Sequence, residues 1–332
     1  MVSRALWGCG VGCAVAACTP SFSDQTSLVT APRLLAVQAV PAEAAPGSSF
    51  SMTALYVGPP GPDDPSSLNW ATCLLQKPLG DPGAFNPACF VDASSGLLPL
   101  GMGGSVQGTV PEDACELFGP DTAPAQPGEP SPRPTDPDST GGFYLPVRVE
   151  EDGQYSVAPE RVTCQPGGVT QKVFVAFSEG YKPNQNPILT SLSRVTDDGG
   201  ATSLAPNAAG AAPALIVAPG ERVSLSAEWP TCPTGEATAC SGAETYLYID
   251  PTSREITTQR ESMVAAWYAT GGTFDADSVG RAADDLGTTA VNGWTAPNSS
   301  GAVQAVELWV VLRDARGGIG WGSYSFAISA HP

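Results

Sequence analysis

Residues 45–54 read APGSSFSMTA, and residues 218–227 read APGERVSLSA. The two stretches share an Ala-Pro-Gly turn, one serine and the closing alanine. Proline fixes one backbone angle of such a turn and glycine supplies the other. After each turn, apolar and polar residues alternate with a period of two, which predicts a strand with one buried face. The repeat therefore predicts a β-rich chain that contains two copies of one unit.

The residues around both stretches also follow one order. Each stretch comes after an extended run opened by proline, at 32–40 and 187–195, and before a strand that carries tryptophan, Trp70 or Trp267. Chance similarity between two low-complexity turns is the alternative. Three features in the same order favour duplication of one sandwich unit.

The second copy resembles the immunoglobulin-like sandwiches of bacterial cell-surface proteins, including the polycystic-kidney-disease-type repeats. Residues 266–272 (AWYATGG), 294–297 (WTAP) and 306–314 (VELWVVLRD) carry the resemblance. In this fold a tryptophan on the third strand packs into the core. The resemblance implies an all-β chain of two tandem immunoglobulin-like β-sandwich domains with long loops, at residues 32–184 and 185–330.

The whole chain also resembles a group of uncharacterised lipoproteins found in myxobacteria. The matching residues are 32–37 (PRLLAV), 70–73 (WATC), 86–89 (NPAC), 117–121 (LFGPD) and 184–187 (NQNP). This group has no assigned activity. The resemblance therefore implies a compartment and a fold, and nothing about mechanism.

The first 17 residues are typical of an export signal. A basic start at Arg4 is followed by the apolar run 5–17, which is too short to span a bilayer as a permanent helix. We expect this signal peptide, 1–17, to be removed. Residues 18–31 are small and polar and without periodicity, and they predict a flexible tether.

The residues at the predicted cleavage site, Val15, Ala16, Ala17 and Cys18, resemble the lipobox of bacterial lipoproteins. The resemblance implies that Cys18 carries acyl chains that hold the protein on a membrane. Thr19 follows where inner-membrane lipoproteins often carry aspartate, which favours the outer membrane, on its periplasmic or surface side. An ordinary secretory signal followed by an incidental cysteine is the alternative.

Charge and composition exclude some classes of partner. The formal net charge of −18 argues against binding nucleic acid or anionic head groups through a basic patch. With 37 Gly and 33 Pro and only 14% charged residues, the composition is that of short strands joined by many turns.

Six cysteines lie beyond the predicted signal peptide and Cys18, and an even number in an exported chain predicts three disulfides. Their order in the sequence suggests Cys73 with Cys89, Cys115 with Cys164, and Cys232 with Cys240, although six cysteines allow 15 connectivities. A zinc site is the alternative. It is disfavoured because none of these cysteines forms a CxxC pair and the sequence has one histidine, His331.

The sequence contains no familiar catalytic motif. His331 stands next to the last residue, and neither GxSxG nor HExxH occurs. We therefore expect a protein that is not an enzyme and binds no cofactor. A Ser-Lys arrangement or a carboxylate pair stays open, because both need only residues that are present.

Two further groups of residues could form a site. Asp275, Asp277, Asp284 and Asp285 lie in one connection between strands and could supply oxygen ligands to Ca²⁺, but the EF-hand spacing is absent and a solvated acidic loop is favoured. Trp309 alternates with Leu308 and Val310, so it faces away from its own core, near Trp321. These two tryptophans could stack on a glycan, although packing under another domain or loop is favoured.

Residues 119–142 form a proline-rich insertion in which Pro124, Pro127 and Pro130 recur with the period of a polyproline II helix. A stiff, exposed insertion is favoured over a docking peptide. The sequence as a whole predicts a lipid-anchored cell-envelope protein that acts as a structural, adhesion or partner-binding module. Its expected partners are the membrane, through the anchor, and an envelope protein or a glycan.

Overall fold

The computed structural model describes residues 26–76, 85–91, 95–118, 142–208, 212–235, 237–250, 252–298 and 304–329. The lipobox with Cys18 and the proline-rich stretch 119–141 lie outside these residues, so both stay predictions. Among the described residues, no helix is long and apolar enough to cross a membrane.

The first unit is formed by the strands that follow the N-terminal segment. They are β1 (Arg33–Val40), β2 (Glu43–Ala44), β3 (Ser49–Gly58), β4 (Gly61–Pro62), β5 (Asn69–Cys73), β6 (Leu97–Met102), β7 (Ser105–Thr109), β8 (Gly142–Glu151) and β9 (Gln154–Thr163). Helix α1 (Ala114–Phe118) and the 3-10 turns Pro65–Ser67 and Pro87–Phe90 lie between them.

Within the described residues, the strands of the first unit form two sheets. One has the order β1-β3-β4 with β7 also paired to β3, and the other has the order β2-β9-β8-β5-β6. Phe50 and Met52 on β3 and Trp70, Leu145 and Val147 on the opposing sheet belong to one buried cluster. Because both sheets contribute to the same core, the first unit is a β-sandwich.

The second unit follows the helix α2 (Gln171–Gly180). Its strands are β10 (Ser191–Val195), β11 (Ala201–Leu204), β12 (Leu215–Val217), β13 (Arg222–Glu228), β14 (Thr245–Ile249), β15 (Ile256–Arg260), β16 (Met263–Ala269), β17 (Thr273–Phe274), β18 (Ser278–Arg281), β19 (Thr289–Thr295), β20 (Gln304–Asp314) and β21 (Ile319–Ile328).

The second unit is also a sandwich. Its sheets have the orders β11-β10-β13-β19-β17 and β12-β21-β20-β16-β18, and a separate hairpin pairs β14 with β15. Leu225 and Trp294 from the first sheet and Trp267, Leu308 and Phe326 from the second share one buried cluster. The all-β class expected from the sequence is therefore confirmed.

The two units share a connectivity that matches the sequence repeat. In each, the opening strand runs antiparallel to the strand after the Ala-Pro-Gly turn, and a short strand runs parallel to the last strand. Both turns place glycine in the left-handed region, with φ of 77° at Gly47 and 71° at Gly220. Trp70 and Trp267, on equivalent strands, are both fully buried.

The three disulfides pair as the order of the cysteines suggested. They join Cys73 to Cys89, Cys115 to Cys164 and Cys232 to Cys240. Disulfides persist in oxidising environments, so they indicate an extracellular or envelope protein.

Helix α2 was not expected from the sequence. Thr170 caps it by accepting a hydrogen bond from the backbone N–H of Val173 at 3.4 Å. Val173 and Phe177, four residues apart on one helix face, are buried against Ile249 of β14. The helix therefore packs on a hairpin of the second half of the chain, although the sequence placed it in a first domain ending at residue 184.

The described end of the predicted tether is docked rather than free. Leu28 forms a parallel bridge with Ala269 of β16, and the backbone N–H of Val29 donates to the Ala269 carbonyl at 2.9 Å. Val29 is buried in an apolar cluster that both units share. The expectation of a flexible tether over 18–31 is therefore wrong for residues 26–29, because burial of Val29 holds this segment against the second unit.

A carboxyl group lies inside the first sandwich. Glu160 stands on β9 between Ala158 and Val162, which face the core, and it is fully buried. Among the described residues, neither of its carboxyl oxygens has a hydrogen-bond partner. Burial, reinforced by the nearby charge of Glu43, raises the pKa of Glu160 to about 8.

The raised pKa predicts that Glu160→Gln removes a pH dependence of stability. Below the ordinary pKa of 4.5, Glu160 is protonated in both states and its contribution is fully present. As pH rises, the unfolded chain ionises while the folded one does not, so stability falls by about 1.4 kcal/mol per pH unit until about pH 8.

Urea unfolding of the disulfide-bonded protein at pH 5 and pH 8 measures this effect. From pH 5 to pH 8, we expect the free energy of unfolding of Glu160→Gln to gain roughly 2 kcal/mol or more relative to that of the wild type. The exposed Glu255→Gln serves as a control and should show no such gain. Equal pH dependence of wild type and Glu160→Gln would contradict the buried, protonated state.

Candidate functional site

The two units meet in a joint, which has an apolar half and an ionic half. The apolar half contains the buried residues Val29, Leu35 and Val57 from the N-terminal segment and the first unit, with Trp309 and Val311 from β20. Trp309 has no exposed surface. A large indole and branched side chains on both sides make this half a hydrophobic interface between the sandwiches.

The joint corrects the prediction of a glycan-binding face. Trp309 does face away from the core of its own unit, but the first unit covers it completely. Trp321 is half-buried and packs against the same cluster. A stacking platform needs exposed rings, so these two tryptophans act as packing residues, which was the favoured alternative.

Glu43 is the centre of the ionic half on the side of the first unit. One of its carboxylate oxygens accepts from Arg161 Nε at 3.1 Å and from the backbone N–H of Asn184 at 2.9 Å. The other accepts from the Tyr181 hydroxyl at 2.6 Å and the Thr163 hydroxyl at 2.9 Å. Glu43 is buried, and four donors compensate the loss of its hydration.

Arg316 is the corresponding centre on the side of the second unit, in the turn between β20 and β21. Its guanidinium donates to Glu261 through Nε at 2.8 Å, to Glu244 through a second nitrogen, and to the Lys182 carbonyl at 3.2 Å. It also lies over the Tyr246 ring, 4.7 Å from the centroid. Arg316, Glu244 and Glu261 are all buried.

The segment that connects the two units is bonded to both centres. Tyr181 and Asn184 donate to Glu43, while the Lys182 carbonyl accepts from Arg316 and the Gln185 N–H donates to Glu244 at 3.1 Å. The Tyr144 hydroxyl adds a direct link, because it accepts from Arg161 at 2.9 Å and donates to the Arg316 carbonyl at 3.3 Å. The connection is therefore held on both sides and does not act as a free hinge.

The side chain of Asn186 extends this bonding to the strand edges. Its amide nitrogen donates to the Ala39 carbonyl of β1 at 2.6 Å, and its oxygen accepts from the Ile319 N–H of β21 at 2.9 Å. Asn186 thus bonds one backbone group from each unit. Nothing in the local sequence around 184–187 predicted these roles.

Burial raises the pKa values of the carboxyl groups beside Arg316 in the ionic half. It raises the pKa of Glu244 to about 7, although Arg316 acts in the opposite direction. Burial also raises the pKa of Glu261, and that of Asp314, which accepts from the backbone N–H groups of Arg316 and Gly318. Burial alone would lower the pKa of Arg316, but the nearby charges of Glu261 and Glu244 outweigh burial and raise this pKa above its ordinary value. The Arg316 side chain therefore stays charged.

The four aspartates considered for calcium have other partners or are exposed. Asp275 pairs with Arg222, Asp277 accepts from the Thr26 hydroxyl at 2.5 Å, and Asp285 pairs with Arg281 at 2.9 Å. Asp284 is exposed. In the described part of the chain, no group of three or more His, Cys, Asp or Glu side chains could hold a metal ion.

A cleft opens beside the ionic half, between the strand edges of the first unit and the β20–β21 turn. It has a volume of about 370 Å³. Residues 34–37 of β1 and 156–159 of β9 form two walls, and Arg313, Asp314 and Ile319 lie at the third. The walls are mainly apolar, which is typical of ligand sites.

The chain matches no family model and no curated protein. Among solved structures, a chimeric titin Z1Z2-Z1Z2 tandem is similar over 90% of this chain and 100% of its own, with 10% identity and a TM-score of 0.23. The adhesin InvE of Yersinia pseudotuberculosis is similar over 91% of this chain and 59% of its own, with 11% identity and a TM-score of 0.21.

The ionic half generates a test of the joint. Arg316→Met leaves Glu244 and Glu261 buried without their cation, and loss of one partner of a buried pair costs about 3–5 kcal/mol. The matched control is Arg222→Met, which removes a pair whose members are 58% and 52% exposed and should cost less than about 1 kcal/mol.

Urea unfolding at pH 8 measures both variants. Adding Glu244→Gln and Glu261→Gln to Arg316→Met should recover part of the loss, because the uncompensated charges are then removed. If Arg316→Met cost no more than Arg222→Met, the ionic half would not stabilise the joint.

Proposed function

We propose that the chain is a lipid-anchored cell-envelope protein in which two immunoglobulin-like sandwiches form one stiff structural, adhesion or partner-binding module without catalytic activity. The observation that carries the proposal is the joint. Relative motion between domains is the default unless their interface is large and hydrophobic. This interface combines a buried apolar cluster with buried ion pairs.

The strand order supports the immunoglobulin-like assignment. In such domains the first, second and fifth strands share one sheet, while the third, sixth and seventh share the other. The first unit follows this order, with β1, β3 and β7 in one sheet and β5, β8 and β9 in the other. The second unit follows it with β10, β13 and β19 opposite β16, β20 and β21.

A stiff body suits a protein that binds or supports a partner. A rigid surface loses little conformational entropy when a partner binds, so more of the contact energy appears as affinity. The three disulfides stabilise the folded chain against unfolding, and they persist in the oxidising environment that they indicate.

Two observations support the anchor. Residues 15–18 resemble a lipobox, and the three disulfides are typical of an exported chain. Residues 26–29 are docked on the second unit, so at most seven residues separate Cys18 from the folded body. That length spans at most about 25 Å. The proposal therefore places the body close to the membrane surface rather than on a long stalk.

Metabolic labelling with palmitate in cells tests the anchor. We expect label on the wild type, loss of label in Cys18→Ser, and release of this variant from the membrane fraction. Cys13→Ser, inside the predicted signal peptide, is the matched control and should stay labelled. Persistent label in Cys18→Ser would exclude this lipid anchor.

A further inference from the structure

The cleft between the units is lined by backbone N–H and C=O groups that are not hydrogen-bonded to a neighbouring strand. Pro146 on β8 lies opposite Pro159 on β9, and proline has no backbone N–H. These two residues therefore cannot exchange hydrogen bonds, so their polar groups point away from one another. The alternation along an antiparallel ladder then directs the N–H and C=O of Val157 away from β8 as well.

On that side of β9 a neighbouring strand is short. Strand β2 pairs only with Arg161 and Val162. Among the described residues, the backbone edge at Val157 has no strand beside it, and Val157 lines the cleft. Unpaired strand edges of this kind are templates for an added strand.

The opposite wall is a second strand edge. The Leu35 carbonyl of β1 accepts from Arg313 at 2.9 Å and the Ala39 carbonyl accepts from Asn186 at 2.6 Å, so both point away from β3. By the same alternation the backbone groups of Val37 face the cleft. Val37 and Val157 thus offer hydrogen-bonding groups from two sides, between mainly apolar walls.

Arg313 and Asp314 are the charged residues that line the cleft, and the Asp314 carboxyl already accepts from the backbone N–H groups of Arg316 and Gly318. One of the Arg313 guanidinium nitrogens donates to the Leu35 carbonyl, and among the described residues no carboxylate lies within ion-pair distance of this guanidinium. Arg313 is half-buried at the cleft wall. A guanidinium with remaining donors and without an acidic partner favours a ligand that brings a carboxylate.

We propose that this cleft binds an extended peptide segment of a partner, which pairs with the β9 edge at Val157 and places a carboxylate on Arg313. Five extended residues span about 17 Å, and alternate side chains would contact the apolar walls. The carboxylate is either the C-terminus of the partner or an acidic side chain. This inference rests on the proposed partner-binding function and specifies its site.

A selection from random octapeptides displayed with free C-termini, against the disulfide-bonded full chain, provides the probe. The strongest selected peptide is then synthesised as the free acid and as the C-terminal amide, and its binding is measured by fluorescence polarisation. Loss of affinity in the amide identifies the C-terminus as the carboxylate. Equal affinity, with loss on replacing an acidic side chain, identifies that side chain.

Two variants of the protein test the site. Val157→Pro removes the N–H that lacks a strand partner and should reduce affinity about tenfold or more. Val157→Ala keeps this N–H and should reduce affinity less, because it loses only apolar contact. Arg313→Gln should reduce affinity about tenfold, as expected for one charge-assisted hydrogen bond. Unfolding midpoints show that the variants remain folded.

No enrichment of peptides, or selected peptides that bind Val157→Pro and Arg313→Gln as tightly as wild type, would overturn the proposal. If Val157→Pro fails to fold, Arg313→Gln decides the outcome alone, since its side chain lies at the cleft wall. Failure here would leave the palmitate labelling of Cys18 unchanged, so the site and the lipid anchor are tested separately.

Discussion

The structure depends on one arrangement of buried charge, in which Glu43 and Arg316 hold the connecting segment from opposite sides. A buried carboxylate or guanidinium is costly unless it is paired and hydrogen-bonded. Here Glu43 is compensated by the first unit together with residues 181 and 184, and Arg316 by the second unit together with residue 182, so both charges bind the same connecting segment. The ionic half therefore specifies a relative position of the two sandwiches, while the apolar half around Trp309 supplies hydrophobic stabilisation.

The same arrangement explains the cleft. The hydrogen bonds from Asn186 and Arg313 to β1 hold the β20–β21 turn near the edge of the first sandwich without covering Val157. A rigid joint keeps the third wall of the cleft, at Arg313, Asp314 and Ile319, at a fixed distance from the β1 and β9 edges of the first unit. The stiffness of the joint and the proposed peptide site thus depend on one interface.

Local patterns in the sequence predicted what lies within each unit. The turns and the burial of Trp70 and Trp267 depend on neighbours along a strand, so local patterns predicted them. The disulfides join cysteines that follow one another in the sequence, so their order predicted the pairing. The joint could not be predicted this way, because Arg316 lies 55 and 72 positions from its two carboxylate partners. Alternation in β20 showed that Trp309 faces away from its own core, but it could not show that another unit covers it. Helix α2 was missed because its ten residues mix β-branched and aromatic side chains, which also suit strands.

The most direct test of this account is the distance between the units in solution. Spin labels introduced as unnatural amino acids at the exposed positions Gln107 and Thr202 report on the first and second units respectively. Double electron–electron resonance should give one narrow distance distribution for the wild type and a broad one for Arg316→Met. A broad distribution in the wild type would show that the units move independently, and it would contradict the claim that the buried charges fix them as one body.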